Sequence, residues 1–187
     1  MSSSPKIFLA PVSSTQLYAN YIRTVDEGIP SPAFFKIPES NSYVKQFPNA
    51  SRIHIWGVKT VKATSFKKCS VGDFVLYYHQ GAMISYCQVV LKSQNRALSE
   101  KIWGRDRDKI TGEYEYWENL LFLAPPQKIL MDFKILIGFA NFKEKASVRS
   151  FNQYSTVGMS AIINKYHSID LFLKGYEVKS EILNKAH

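Results

Sequence analysis

The sequence predicts an α+β domain: a curled, antiparallel or mixed β-barrel flanked by helices. Three observations carry this reading. Strand periodicity recurs through RIHIWGV, DFVLYYHQ, AMISYCQVVLK and YEYWENLLFL, all within Arg52–Leu123. Helical spacing occupies the stretch after the first strand and most of the C-terminal third. The connections between the central strands are short, which suits antiparallel pairing and a sheet that curls on itself.

The elements follow in order. KIFLAPVS reads as a short apolar strand, closed by Pro11 and capped by Ser13 or Ser14. STQLYANYIRTVDEGI places Leu17, Tyr21, Ile22 and Val25 at helical spacing, with Gly28 as its stop. Between Pro30 and Ala50, four prolines prevent a long regular element, while Phe34, Phe35, Tyr43 and Phe47 argue against disorder. A loop of this length is expected to lie over the domain, beside a binding cleft. RIHIWGVKT alternates Ile53, Ile55 and Gly57 against His54, Trp56 and Val58. DFVLYYHQ and AMISYCQVVLK form a hairpin that turns at Gln80-Gly81. SQNRALSEKIWG is a short helix, with Ser93 near its start and Gly104 at its end. RDRDKITGE is a charged loop, and YEYWENLLFL is a strand stopped by Pro125 and Pro126. MDFKILIGFANF and VGMSAIINKYHSIDLFL are helices, joined by the basic connector EKASVRSFNQYS.

The chain of 187 residues is long enough for one well-packed domain, and its 45% apolar and 21% charged residues are ordinary for a globular one. The formal charge of +9 is not ordinary. It points to a polyanionic partner, nucleic acid first, against the plainer reading of solvated surface charge. No apolar run reaches membrane-spanning length, and the opening MSSSPKIFLAPVSS lacks the basic start and long apolar core of a signal peptide. Cys69 and Cys87 then read as reduced, buried thiols of a cytoplasmic protein, and a metal site is not expected.

No phosphate-binding glycine loop, nucleophile elbow or zinc-protease motif is present. His54, His79 and His167 are scattered and read as structural, and Asp73 in Val-Gly-Asp reads as shaping a turn. Neither catalysis nor a cofactor is expected. The aromatic and basic pattern says more. Trp56, Trp103 and Trp117 should converge if the sheet curls, with Tyr78 and Tyr116 close by in sequence. Flat aromatic faces can hold an extruded base by stacking. Lys59, Lys62, Lys67 and Lys68 follow the Trp56 strand, and Arg96, Lys101, Arg105, Arg107 and Lys109 surround Trp103; these would meet phosphates. Arg149, Lys143 and Lys145 could form a second contact. Tryptophans on strands are also ordinary core residues, and Trp117 is the one of the three that reads most readily that way.

These segments resemble a known family. I-W-G-V, V-G-D-F-V-L-Y-Y, Val-Val-Leu-Lys-Ser, Ile-Trp-Gly and Trp-Glu-Asn-Leu-Leu-Phe-Leu are similar to the EVE-like branch of the PUA superfamily, which also includes the YTH readers of N6-methyladenine. F-L-A-P-V-S and V-G-M-S-A-I-I resemble the versions at the N-terminus of McrB-type modification-dependent restriction proteins. The resemblance runs from Lys6 to Leu173. It implies one PUA-like domain over residues 1–187, binding DNA with N6-methyladenine or methylated cytosine by flipping the base into an aromatic cage. Trp56 stands where YTH-type readers place their first cage tryptophan, and the resemblance implies Trp103 and Trp117 as further walls of the cage. The resemblance also implies a GTP-driven AAA+ motor and a nuclease subunit as partners. Its alternatives are an RNA reader of the same fold and an ASCH-type nucleoside hydrolase or RNA-processing enzyme.

Overall fold

The computed structural model describes residues 4–107, 111–143 and 146–178. Strand β1 (Ile7–Pro11) leads into helix α1 (Thr15–Tyr21), which Ser14 caps by accepting a bond from the Leu17 amide and which continues as a wider helical turn through Asp26. Then come β2 (Ile29–Pro30), the helical turn α2 (Ser31–Phe34), a 3-10 stretch (Pro38–Gln46), β3 (Arg52–Val58), a 3-10 turn (Thr60–Lys62) and α3 (Ala63–Lys68). The hairpin β4 (Phe74–His79) and β5 (Ala82–Gln94) is followed by α4 (Arg96–Trp103). A small ribbon of β6 (Asp106–Arg107) and β7 (Tyr114–Glu115) precedes β8 (Asn119–Leu123) and β9 (Gln127–Asp132). The chain ends with α5 (Phe133–Ala140), β10 (Asn152–Gln153), α6 (Thr156–Tyr166) and α7 (Ile169–Lys174).

Seven strands form one mixed sheet in the order β10-β1-β4-β5-β8-β3-β2, with β9 also paired to β5. Only β1 and β4 run parallel; the other pairs are antiparallel. The curl is built into β5. Its first half pairs with β4 and β9, its second half with β8, and the register shifts between Val89 and Leu91. A bulge of this kind bends a strand and increases its twist.

The expected barrel does not close. The two ends, β2 and β10, are two residues each and do not pair with one another among the described residues. Pro30 offers no N–H to extend β2, and β10 gives way at once to α6, whose first turn is capped by Ser155.

The sheet is buried on both faces, which explains its strongly apolar runs. Along β1 and β4, Phe8, Ala10, Val75 and Tyr77 enter an inner core with Trp56, Val58 and Leu121. Ile7, Leu9, Phe74 and Leu76 point the other way, into a core closed by α5, α6 and α7. At the far half of the sheet, Ile53, Ile55, Leu120 and Phe122 face a third core, formed with α4 and the 31–50 segment. That segment covers the domain as expected, through Phe34, Tyr43 and Phe47 packed on Phe122.

Several boundaries differ from the sequence reading. Gln127–Asp132 is a strand, with Ile129 and Met131 turned inward, where the proline pair seemed to end the sheet. YEYWENLLFL is not one strand: it splits into β7 and β8 around Tyr116–Glu118. The α4 cap is Asn95, which accepts the Leu98 amide, while Ser93 stays in β5 and bonds Tyr43. The final helix breaks at His167, whose φ is +68°, and restarts under Ser168. The Gln80-Gly81 turn forms as read, both residues having positive φ. Asp73 does shape its turn, accepting the Lys6 and Ser70 amides. His54 and His79 bond the carbonyls of Val25 and Val12, and Cys69 and Cys87 are buried free thiols.

Candidate functional site

The end of β3 carries Trp56, Gly57 and Val58, paired opposite Leu121, Leu120 and Asn119 of β8. Buried Asn119 fixes this corner by donating to the Val58 carbonyl and accepting from Gln94. The chain then turns through Lys59 to Lys62, and the Thr60 amide bonds the Tyr116 carbonyl, so the turn and the 115–117 segment form one wall. Pro11, Leu17 and Phe151 complete the lining of a cleft with them, Phe151 being held by a stack on Phe8 at 5.4 Å.

The cleft measures 320 Å³, and Trp56 and Trp117 are part of its lining. This is within the size range of small-molecule pockets. Trp56 and Trp117 are only 5% and 6% exposed. Trp56 is braced edge-on against Tyr77, with ring centroids 5.5 Å apart. Trp117 is seated directly on Gly57, where any β-carbon would collide with it.

The third tryptophan is near but differently employed. The three rings meet at Gly57, and almost no free volume remains at their junction. Trp103 is half-buried against the third core and does not line the cleft. Tyr78 packs on Phe133 beside a separate depression at the β4–β5 hairpin. Tyr116 lies under the Arg96 guanidinium at 3.6 Å and also stays out of the cleft.

The basic residues divide in the same way. Lys62 and Arg149 line the cleft and carry no ion pair among the described residues. Lys67 and Lys68 are exposed on the adjoining α3. Lys59 also lines the cleft, but its ammonium is shared between Asp106 and Glu115, both at 2.7 Å, and lies 5.2 Å from the centre of the Trp117 ring. Burial opposes its charge, yet the two carboxylates prevail and its pKa lies above the ordinary lysine range. Arg96, Arg105 and Arg107 do not line the cleft and are engaged by other groups: Arg96 on Tyr116, Arg105 over Tyr114 at 4.2 Å, and Arg107 donating to the Gly112 carbonyl. Lys101 is exposed on α4; Lys109 and Lys145 lie outside the described residues.

Sequence reasoning missed Glu115, Val61 and Phe151 as cleft residues. Glu115 had a usable signal, since period-2 alternation in Tyr114–Trp117 puts it on the same side as Trp117. Leu17 and Phe151 had none: they reach the cleft from sites about forty and ninety-five residues away from Trp56. Among the described residues, no three His, Cys, Asp or Glu side chains are grouped to hold a metal ion, and no helix is long and apolar enough to cross a membrane.

No protein-family model and no curated protein matches the sequence. Solved structures do match. The N-terminal domain of Thermococcus gammatolerans McrB, bound to m5C DNA, superposes with a TM-score of 0.60 at 15% identity, over 86% of this chain and 96% of that one. An ASCH protein from Zymomonas mobilis gives 0.46 at 8% identity, over 88% and 99%. The YTH domain of a Zygosaccharomyces rouxii protein, in complex with N6-methyladenosine RNA, gives 0.41 at 13%, over 88% and 90%. The chain has the fold of the McrB N-terminal domain.

Proposed function

We propose that the chain is a non-catalytic reader domain that binds double-stranded DNA bearing N6-methyladenine or a methylated cytosine, with the base flipped into the cleft beside Trp56 and Trp117. The observation that carries this reading is the tryptophan-lined 320 Å³ cleft in a strongly basic chain, with Lys62 and Arg149 on it, neither in an ion pair among the described residues. The shared fold of a domain solved on m5C DNA supports it.

The physical roles separate cleanly. Stacking on an aromatic wall contributes on the order of 1–3 kcal/mol per base. A methyl group desolvated there adds about 0.8 kcal/mol. Lys62, Arg149, Lys67 and Lys68 neutralise phosphates, which sets affinity and salt dependence but reads no sequence. In this reading a GTP-driven AAA+ motor and a nuclease subunit act on the DNA that the domain has recognised.

Fluorescence-anisotropy titration with duplexes identical except for one methyl group tests the proposal. Tighter binding of the methylated duplex is expected, together with loss of that preference in Trp56→Ala when circular dichroism shows the variant folded. Equal affinity for both duplexes overturns the reading. A parallel titration with methylated RNA strands decides the nucleic acid: tighter binding there makes the domain an RNA reader.

A further inference from the structure

One group in the cleft is at odds with phosphate binding. Glu115 places a carboxylate in a site otherwise lined by apolar residues, cations and the neutral Ser150. Its side chain is 16% exposed, and Lys59 holds Oε2 at 2.7 Å, so the group is held in place. Oε1 makes no hydrogen bond or ion pair among the described residues. A carboxylate has about four acceptor positions and no donor while ionised. A phosphate brought against it would be repelled, and a carbonyl oxygen would set acceptor against acceptor. What suits the free oxygen is an N–H.

Resting on the proposed base-binding role of the cleft, we infer that Glu115 is its specificity-determining acceptor, and that the cleft takes bases presenting an exocyclic amine N–H. Cytosine and adenine carry such an amine, and acidic side chains accept from the cytosine N4 amine in DNA recognition. Methylation at C5 of cytosine leaves both amine hydrogens, and methylation at N6 of adenine leaves one. Thymine presents an oxygen at the same place. N6,N6-dimethyladenine presents no hydrogen there. Refusal of these two follows from one unpaired acceptor, a repulsive element as useful to specificity as the attractive one. Lys59 acts here as a positioning residue: with its ammonium bound to Asp106 and Glu115, it keeps the carboxylate aimed.

Thymine is 5-methylcytosine with the exocyclic amine replaced by oxygen and a hydrogen added at N3, which gives an almost isosteric probe. The unaltered chain is titrated by anisotropy, at one salt concentration, with duplexes carrying 5-methylcytosine·G, cytosine·G and thymine·G at one position. A second set carries N6-methyladenine·T, adenine·T and N6,N6-dimethyladenine·T. The set in which methylation raises affinity is the one that is read. A preference of about 10-fold or more for the monomethylated amine over its thymine or dimethyl counterpart is expected, the scale of a hydrogen bond to a charged group. The thymine·G mismatch flips more readily than a matched pair, so the bias of the probe runs against this outcome. In Glu115→Gln, whose amide can donate as well as accept, the ratio should fall below about 3-fold; Glu115→Ser should fall likewise.

Equal affinity for the amine and its counterpart, in a chain that still prefers methylated over unmethylated duplex, overturns the inference and leaves the reader function standing. So does a ratio unchanged in both Glu115 variants. No preference for methylated duplex in either set overturns the reader function and the inference together.

Discussion

Gly57 and Trp117 are packed so tightly that a β-carbon on Gly57 would stand 2.5 Å from Trp117 Cβ and 2.9 Å from the Trp117 carbonyl oxygen. Trp103 would be met at 2.9 Å as well. The glycine is therefore a spatial requirement of the tryptophan wall and owes nothing to unusual backbone torsion. Gly57→Ala should force β3 and the 115–117 segment apart, costing about 1–3 kcal/mol of stability as overpacking does. Urea denaturation measures the loss, and anisotropy should show the preference for methylated duplex falling with it. An unchanged urea midpoint would mean that the wall is not as rigid as this contact implies.

The salt dependence of binding separates the cations that meet phosphate from those that are occupied. Lys62 and Arg149 line the cleft with no ion pair among the described residues, whereas Lys59 already serves Asp106 and Glu115. Each phosphate contact contributes about 0.9 to the slope of log affinity against log salt on duplex DNA. The double variant Lys62→Gln/Arg149→Gln should therefore reduce the slope by about 2 while leaving the ratio of methylated to unmethylated binding intact. A slope that does not move places the DNA backbone elsewhere on the molecule.

The strand core was legible because alternation, hairpin chemistry and glycine placement agreed. Trp56 followed directly from its position at the end of β3. The misses have specific causes. In PPQKILMD the proline pair signals a stop, which leaves Ile129 unassigned and puts Met131 at the start of the following helix, whereas the two alternate on a strand. Nothing in Lys165–Ser168 signals that His167 turns left-handed and breaks the helix. The roles of Trp103 and Trp117 were also out of reach, because they depend on which ring sits over Gly57 and which is drawn into the third core. Trp117 lines the cleft although its sequence context read as core.

Alkaline pH should destabilise the fold through buried groups that must stay neutral. Burial, followed by the nearby Asp73 carboxylate, pushes the Cys69 thiol up to about 12. Burial likewise raises Cys87, Tyr77 and Tyr21 above their ordinary ranges. Unfolded cysteine and tyrosine release their protons near pH 8.5 and 10, while the folded chain keeps them. The unfolded state then binds fewer protons, so stability falls as pH rises. The contribution is fully present below about pH 8.5 and is lost progressively up to about pH 12. The urea midpoint should be lower at pH 10 than at pH 7.5, with a smaller drop in Cys69→Ala. Equal drops in both proteins would exclude Cys69 as a source of the effect.

Conservative substitutions at the second and third tryptophans test the division of labour between them. Trp117 forms the cleft wall, and Trp103 contributes to the core beneath α4 and the 31–50 segment. Trp103→Phe should therefore act on stability, by about 1–2 kcal/mol for a smaller ring in a packed site. The ratio of methylated to unmethylated affinity should stay within about twofold of the unaltered chain. Trp117→Phe keeps an aromatic wall of smaller area, so it should lower affinity for the methylated duplex by more than it lowers affinity for the unmethylated one. The two variants are compared by anisotropy under conditions where both are fully folded by circular dichroism. If Trp103→Phe abolishes the methyl preference and Trp117→Phe preserves it, the Trp117 wall of the cleft is not what holds the base.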